Sequence, residues 1–187
     1  LSGITYRFAS ATPANADPAR GAWRVAAENA GGGLFLDLGS HVLDFLDFAV
    51  GPLQEVQGCA AHLDAAYDVE AAVAMTFRTA GGVPGSASWN FASLIKDDTL
   101  EFFGAAGRIS FTVFANDAVR LETARGVEHF DLPNPPHVAQ PLIQTVVDDL
   151  LGRGSCPSTG ESARRTTAVM DRVLADYYGG RDDRFWI

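Results

Sequence analysis

Lysine is almost missing from this chain. Lys96 is the single one, and 14 basic residues stand against 23 acidic ones for a formal net charge of −9. A basic surface would have to be assembled from scattered arginines, which argues against nucleic acid or an anionic membrane as a partner. Cysteine is scarce too. Cys59 and Cys156 lie far apart without metal-ligand spacing and read as free thiols of a reducing, cytoplasmic compartment. No apolar run approaches the roughly 20 residues that cross a bilayer, so a membrane-spanning helix is not expected. The G-x-G-x-x-G fingerprint and the alternating βαβ pattern of a dinucleotide-binding fold are both absent, so this chain is not expected to hold a dinucleotide in that manner. A G-x-S-x-G elbow is absent as well, which leaves serine-nucleophile hydrolysis without support.

What is present is 47% hydrophobic over 187 residues, enough for a sizeable core and most simply one domain, residues 1–187. The most informative stretch is Gly31 to Gly51, GGGLFLDLGSHVLDFLDFAVG. Three glycines precede a run with helical periodicity, and Asp37 to Val50 at 100° per residue gathers Leu38, Val42, Phe45, Leu46 and Ala49 on one side. Leu43 and Val50 fall at the margin of that side. Asp37, His41 and Asp44 recur at i, i+4 and i+7 as one polar stripe, with Phe48 in register. Three readings of the stripe stay open. It is a solvated face with Asp37 favouring the helix N-terminus, or an acid–base pair, or a metal site built from Asp, His and Asp. In the acid–base reading Asp37 favours the imidazolium while the helix N-terminus disfavours it.

Trp23-Arg24, the three glycines, the pattern D-x-G-x-H-x-x-D from Asp37 to Asp44 and the closing Gly51 together resemble the C-terminal domain of the Gfo/Idh/MocA oxidoreductases. The resemblance covers nearly the whole chain but only the second half of the family's protein. It implies an α+β fold, a dihydrodipicolinate-reductase-like domain as in glucose-fructose oxidoreductase. It also implies a Rossmann domain upstream, missing here, that holds NAD or NADP and carries the lysine of the family's E-K-P motif, for which Lys96 is no assumed substitute. The implied substrate is a sugar, inositol or related polyol. Hydride would move between a carbinol carbon and nicotinamide C4 while His41 exchanges the hydroxyl proton, Asp37 orients His41, and Arg24, Trp23 and Asp44 contact or position the substrate. No metal is implied, and this part alone would be inactive. The competing interpretation is a non-catalytic dimerisation or small-molecule-binding module of the same fold.

The remaining chain reads as β-rich. Leu1 to Ser10 is a strand, Ala11 to Arg20 a loop, and seven β-prone runs follow: Leu53 to Leu63, Tyr67 to Thr79, Val83 to Leu94, Thr99 to Phe103, Arg108 to Phe114, Ala118 to Thr123 and Val127 to Leu132. Together they predict a large, mostly antiparallel open sheet of about eight strands with helices on one face. Alternation of Ser86, Ser88 and Asn90 with Ala87, Trp89 and Phe91 gives the sheet two unlike faces. The uncovered face is expected to associate with a second copy, as the resemblance also implies. Helices are predicted from about Val138 to Gly152, with Leu142, Ile143, Val146, Val147 and Leu150 on one face, and from about Glu161 to Tyr178, capped by Ser158 or Thr159. His62, with Asp64 two residues on, His129 and His137 lack convincing acid–base spacing. Tyr67, Trp89 and Asn90 are placed to line a sugar pocket, although strand aromatics more often serve packing, and Phe185 and Trp186 are expected to dock. The start at Leu1, directly in a strand, reads as a piece of a longer polypeptide.

Overall fold

The computed structural model describes residues 1–11, 22–63 and 67–179. Eight strands, β1 (Gly3–Ala11), β2 (Leu53–Ala61), β3 (Ala72–Thr79), β4 (Pro84–Asn90), β5 (Ala92–Gly104), β6 (Gly107–Phe111), β7 (Val119–Thr123) and β8 (Gly126–Phe130), form one open sheet. Their order is β2-β3-β4-β1-β5-β6-β7-β8. All neighbours are antiparallel except β1 and β4, which run parallel from Ile4 opposite Gly85 to Ala9 opposite Asn90. Among the described residues the longer helices are α1 (Ser40–Val50), α2 (Gln140–Leu150) and α3 (Gly160–Tyr178), beside a short four-residue helix at Ala27–Ala30. Among the described residues no helix is long and apolar enough to cross a membrane.

The break between the fourth and fifth strands falls at Phe91, not between Leu94 and Thr99 as the β-prone runs suggest. The reason is topological. β4 and β5 do not pair with each other but flank β1, so their junction needs no hairpin turn chemistry. Asn90 Oδ1 accepts the Ala92 N–H (2.9 Å), and the Phe91 N–H donates to the Ala71 carbonyl (2.8 Å).

One sheet face is the core. Ile4 and Tyr6 of β1, Val73, Met75 and Phe77 of β3, Ala87 and Trp89 of β4 and Leu100 of β5 are buried there with Phe35, Val42, Leu43, Leu46, Val173 and Leu174. Trp89 belongs to this packing, its ring 5.4 Å from Tyr6 and 4.8 Å from Phe35, and so does not line a sugar pocket. Asn90 is exposed. α3 begins with a reciprocal cap in which Thr159 Oγ1 accepts the Ser162 N–H and Ser162 Oγ accepts the Thr159 N–H. It crosses β2 at Gly58, where an added Cβ would lie 2.8 Å from Val173 Cγ1 and 3.1 Å from the Ala74 carbonyl oxygen.

α1 is rolled relative to the expected amphipathic face. Val42, Leu43, Leu46 and Asp47 are buried, Leu38 and Phe45 half-buried, and Ala49 exposed. Two causes combine. Residues Phe35–Gly39 form a π-helical turn, which changes the angular step before α1 starts. Arg165 of α3 then draws Asp47 inward through two hydrogen bonds of 2.9 and 2.6 Å. A charge held as a bidentate pair displaces an alanine that periodicity alone would bury.

α2 departs further from expectation, since none of its residues is buried. Leu142, Val146 and Leu150 are 46%, 41% and 83% exposed, while the polar Thr145 and Asp148 are its better-covered positions. Thr145 Oγ1 lies 3.5 Å from Cys156 Sγ, and the neighbouring Asp149 accepts the Cys156 N–H. The local chain therefore folds back on the polar edge of the helix. Residues 181–187, with Phe185 and Trp186, lie outside the described residues, as do residues 12–20 of the expected loop.

The other sheet face is uncovered and polar. Thr5, Thr76, Ser86 and Ser88 lie side by side on β1, β3 and β4. Beside them runs a ladder of charges: Arg7 meets Asp97 and Glu101, Arg108 meets Glu101 and Glu122, and Arg120 meets Glu122. The Asp97 carboxyl is held below its usual range, chiefly by the Thr99 hydroxyl and then by Arg7. Glu122 is likewise lowered, by hydrogen bonds from Arg108 and then Arg120.

Two predictions follow from this packing. Gly58→Val should lower the unfolding free energy by about 1–3 kcal/mol in urea titration, because β2 and α3 cannot separate without uncovering Val173; an unchanged midpoint would show that α3 does not rest on this strand. Carboxyls depressed in the folded state add stability above their unfolded values and lose it as the pH falls, so the urea midpoint should drop between about pH 5 and pH 3. The double variant Asp97→Asn with Glu122→Gln should start lower at neutral pH and drop less. Equal declines in the two proteins would remove the ladder as the cause.

Candidate active site

The candidate residues are carried by the chain from Trp23 to Phe48. Gly33 leads into the π-helical turn, which carries Asp37, and α1 continues with His41 and Asp44. Single π-helical turns within α-helices occur frequently at functional sites. The turn presents Asp37 outward while Phe35 and Gly39 stay buried, so a sheet-packed element offers its polar stripe to the outside.

Asp37 does not meet His41. Its Oδ2 lies 3.3 Å from Arg24 Nε, and among the described residues no hydrogen bond joins its carboxylate to the imidazole. Arg24 also lies over the Trp23 ring at 5.1 Å, so Trp23, Arg24 and Asp37 form one half-exposed cluster. Both ends of that ion pair are open to water, where such a pair is weak and readily exchanged for a ligand hydroxyl. His41 is exposed and meets the ring of Phe114 edge-to-face at 5.9 Å. It also borders a cavity of about 270 Å³, lined by Asp44, Phe48, Leu142, Pro157 and Ser162 among others. Asp44 accepts a long 3.4 Å hydrogen bond from Thr166 Oγ1. The stripe thus divides into an Arg24–Asp37 group and a His41–Asp44 cavity.

In the sequence Phe114 reads only as the end of a β-prone run. It is fixed from below by Asp98, whose Oδ2 accepts the Phe114 N–H (2.7 Å) and whose Oδ1 accepts the Tyr6 hydroxyl (3.1 Å). Burial, and after it the charge of Asp98, pushes the Tyr6 phenol far above its usual range, so it stays a donor. No periodicity could have joined Asp98, Tyr6 and Phe114, which meet only through sheet register.

Other candidates stand apart. His62 Nε2 lies 2.6 Å from the Tyr67 carbonyl oxygen, and the Asp64 noted beside it is outside the described residues. His129 lies in β8, and His137 precedes α2. Among the described residues no group of three or more His, Cys, Asp or Glu gathers to hold a metal ion. Asp37, His41 and Asp44 therefore do not form a ligand set.

The profile of the GFO/IDH/MocA C-terminal domain matches residues 2–110, well over half of the chain. The chain belongs to this family. An oxidoreductase of Formosa agariphila is 30% identical over 151 residues, covering 80% of this chain and 46% of that protein. Among solved structures, an oxidoreductase from Agrobacterium radiobacter in complex with NAD+, L-tartaric acid and magnesium has a TM-score of 0.75 at 16% identity, covering 95% of this chain and 55% of that one. Levoglucosan dehydrogenase in complex with NADH and levoglucosan has a TM-score of 0.73 at 19% identity, covering 95% and 57%. At these identities the structures establish the fold. The chain spans about half the length of the relatives it matches.

The matched residues of this Gfo/Idh/MocA domain contain Arg24, Asp37, His41 and Asp44, together with Tyr6 and Asp98 beneath Phe114. If Asp98 seats Phe114 beside His41, Asp98→Ala should speed hydrogen exchange of the Phe114 amide by about tenfold or more, the loss expected for a bond to a charged acceptor. Exchange as slow as in the parent protein would mean that the segment is held by something else.

Proposed function

We propose that this chain is the substrate-binding and oligomerisation part of an NAD(P)-dependent oxidoreductase acting on the CH–OH group of a sugar, inositol or related polyol. The carrying observation is that Asp37 and His41 stand exposed on one helical segment, inside the residues matched by an oxidoreductase family's C-terminal domain. A Rossmann domain outside this chain holds the nicotinamide, which supplies the hydride acceptor for the carbinol carbon. His41 is exposed, so a second domain can close over it.

The residues of this chain manage the hydroxyl. His41 accepts the proton of the reacting O–H, which it can do from an exposed imidazole bordering a cavity with an acidic wall at Asp44. Arg24 and Asp37, now paired with each other, offer donors and acceptors to neighbouring hydroxyls, and Trp23 gives a flat apolar surface for the C–H face of a ring. Asp37 orients His41 once a bound hydroxyl has displaced Arg24. The separation seen here makes that step a consequence of binding rather than a standing arrangement.

The uncovered sheet face serves as the oligomer interface. Arg7, Arg108 and Arg120 are balanced there by Asp97, Glu101 and Glu122, so a second copy can cover the face without stranding an unpaired charge. A non-catalytic binding module of the same fold is the competing interpretation, and catalysis separates the two.

In the full-length protein, His41→Ala should reduce kcat with NAD or NADP and a polyol by about 100-fold or more while changing KM little, as for loss of a general base. Unchanged turnover would sink the role of His41, and absence of any polyol oxidation by the parent protein would favour the binding module.

A further inference from the structure

Glu70 is a fully buried carboxylate that the proposed chemistry does not use. Both of its oxygens accept the same backbone N–H, that of Gly33, at 3.0 Å from Oε1 and 2.9 Å from Oε2. Oε2 also accepts the Tyr178 hydroxyl at 2.5 Å. Gly33 fits against it with no space to spare: an added Cβ would stand 2.6 Å from the Glu70 carbonyl oxygen and 2.8 Å from Glu70 Cδ. Taking a carboxylate out of water is costly, and hydrogen bonds to one turn and one helix end offset part of that cost.

The three parts of this contact come from distant places. Glu70 lies just before β3, where the Ala71 N–H donates to the Ala61 carbonyl and the Ala71 carbonyl accepts from Phe91, so its backbone is tied to the sheet. Tyr178 is the last residue of α3. Gly33 is two residues before the π-helical turn, and its carbonyl accepts the Leu36 N–H inside that turn (3.2 Å). The carboxylate therefore fixes where the turn begins, and with it the setting of Asp37 and His41 that follow.

We propose that Glu70, aided by Tyr178, is a positioning residue for the active-site turn, clamping Gly33 so that Asp37 and His41 project at the height the substrate requires. This rests on the role given to His41 and Asp37 above. Burial, followed by the bond to Glu70, pushes the Tyr178 phenol far above its usual range, so it remains a donor wherever the enzyme works. Tyr177 faces the same carboxylate, with Asp68 nearby, and its phenol is raised chiefly by burial.

The test uses the full-length protein carrying Tyr178→Phe, Glu70→Gln or Glu70→Ala, with Met75→Ala as a core control that takes no part in the Glu70 hydrogen bonds. Hydrogen exchange over residues 33–37, without substrate, should quicken by about tenfold or more in Tyr178→Phe and Glu70→Gln but not in Met75→Ala. With myo-inositol or D-glucose and NAD or NADP, kcat per folded molecule should fall about tenfold in Tyr178→Phe and about 100-fold in Glu70→Ala, with KM within about twofold. Glu70→Gln, which keeps an acceptor for Gly33, should recover part of the Glu70→Ala loss. Unchanged exchange overturns the clamp, and faster exchange with normal kcat reduces it to a structural staple and overturns the positioning role. If the parent protein oxidises neither polyol, the functional assignment has failed instead, and the exchange result alone upholds or overturns the clamp.

Discussion

Strand β1 is hydrogen-bonded on both sides, parallel to β4 and antiparallel to β5, and this double pairing holds the sheet together. Without it the remaining strands separate into β2-β3-β4 and β5-β6-β7-β8, joined covalently only through Phe91. Nine residues near the start of the chain thus join two strands that lie far along it, Ile4 pairing with Gly85 and Ala11 with Ala92. The helix face inherits the same dependence, since Ile4 and Tyr6 sit between Trp89 of one half and Leu100 of the other. Loop closure over such separations costs conformational entropy that is repaid only when both neighbours pair.

The site depends on that closure in two places. Phe35 packs on Trp89 and anchors the π-helical turn to the completed sheet. Tyr6 and Asp98, one on each side of the β1–β5 pairing, seat the Phe114 segment that flanks His41. The polar stripe is therefore held between two strand registers. The helix gives the residues their spacing, but the sheet decides what stands opposite them.

That division explains what could be read from sequence. The eight strands, the two unlike faces, the helix before Gly51 and a cap at Ser158 or Thr159 are legible because each follows from local periodicity or from residue type, and the structure uses Thr159. The β4–β5 junction was not, because Asn90-Phe91-Ala92 carries no turn signal and gets its shape from the strand inserted between its ends. The exposure of α2 was not legible either, since the row Leu142, Val146, Leu150 is a good amphipathic pattern whatever covers it. Asp37, His41 and Asp44 were found as a set, but their partners were not: Arg24 reaches Asp37 from a separate turn, and Glu70 meets Gly33 from 37 residues away. Contacts of this kind leave no trace in spacing.

The acidic residues of one short segment show how far position outweighs type. Asp37, Asp44 and Asp47 lie within eleven residues, yet Asp47 is buried and bound by Arg165, Asp44 borders the cavity with only a long bond from Thr166, and Asp37 is half-exposed against Arg24. A carboxylate clamped by a bidentate guanidinium away from water has little freedom to meet a ligand, so Asp47 serves the packing of α1 on α3. A carboxylate in an open ion pair exchanges partners at little cost, which is the setting of Asp37 beside Arg24. The rolled helix is what sorts them. Turning Asp47 inward leaves Asp37, His41 and Asp44 outward, and a structural ion pair on the core side thereby sets the direction in which the candidate chemistry points.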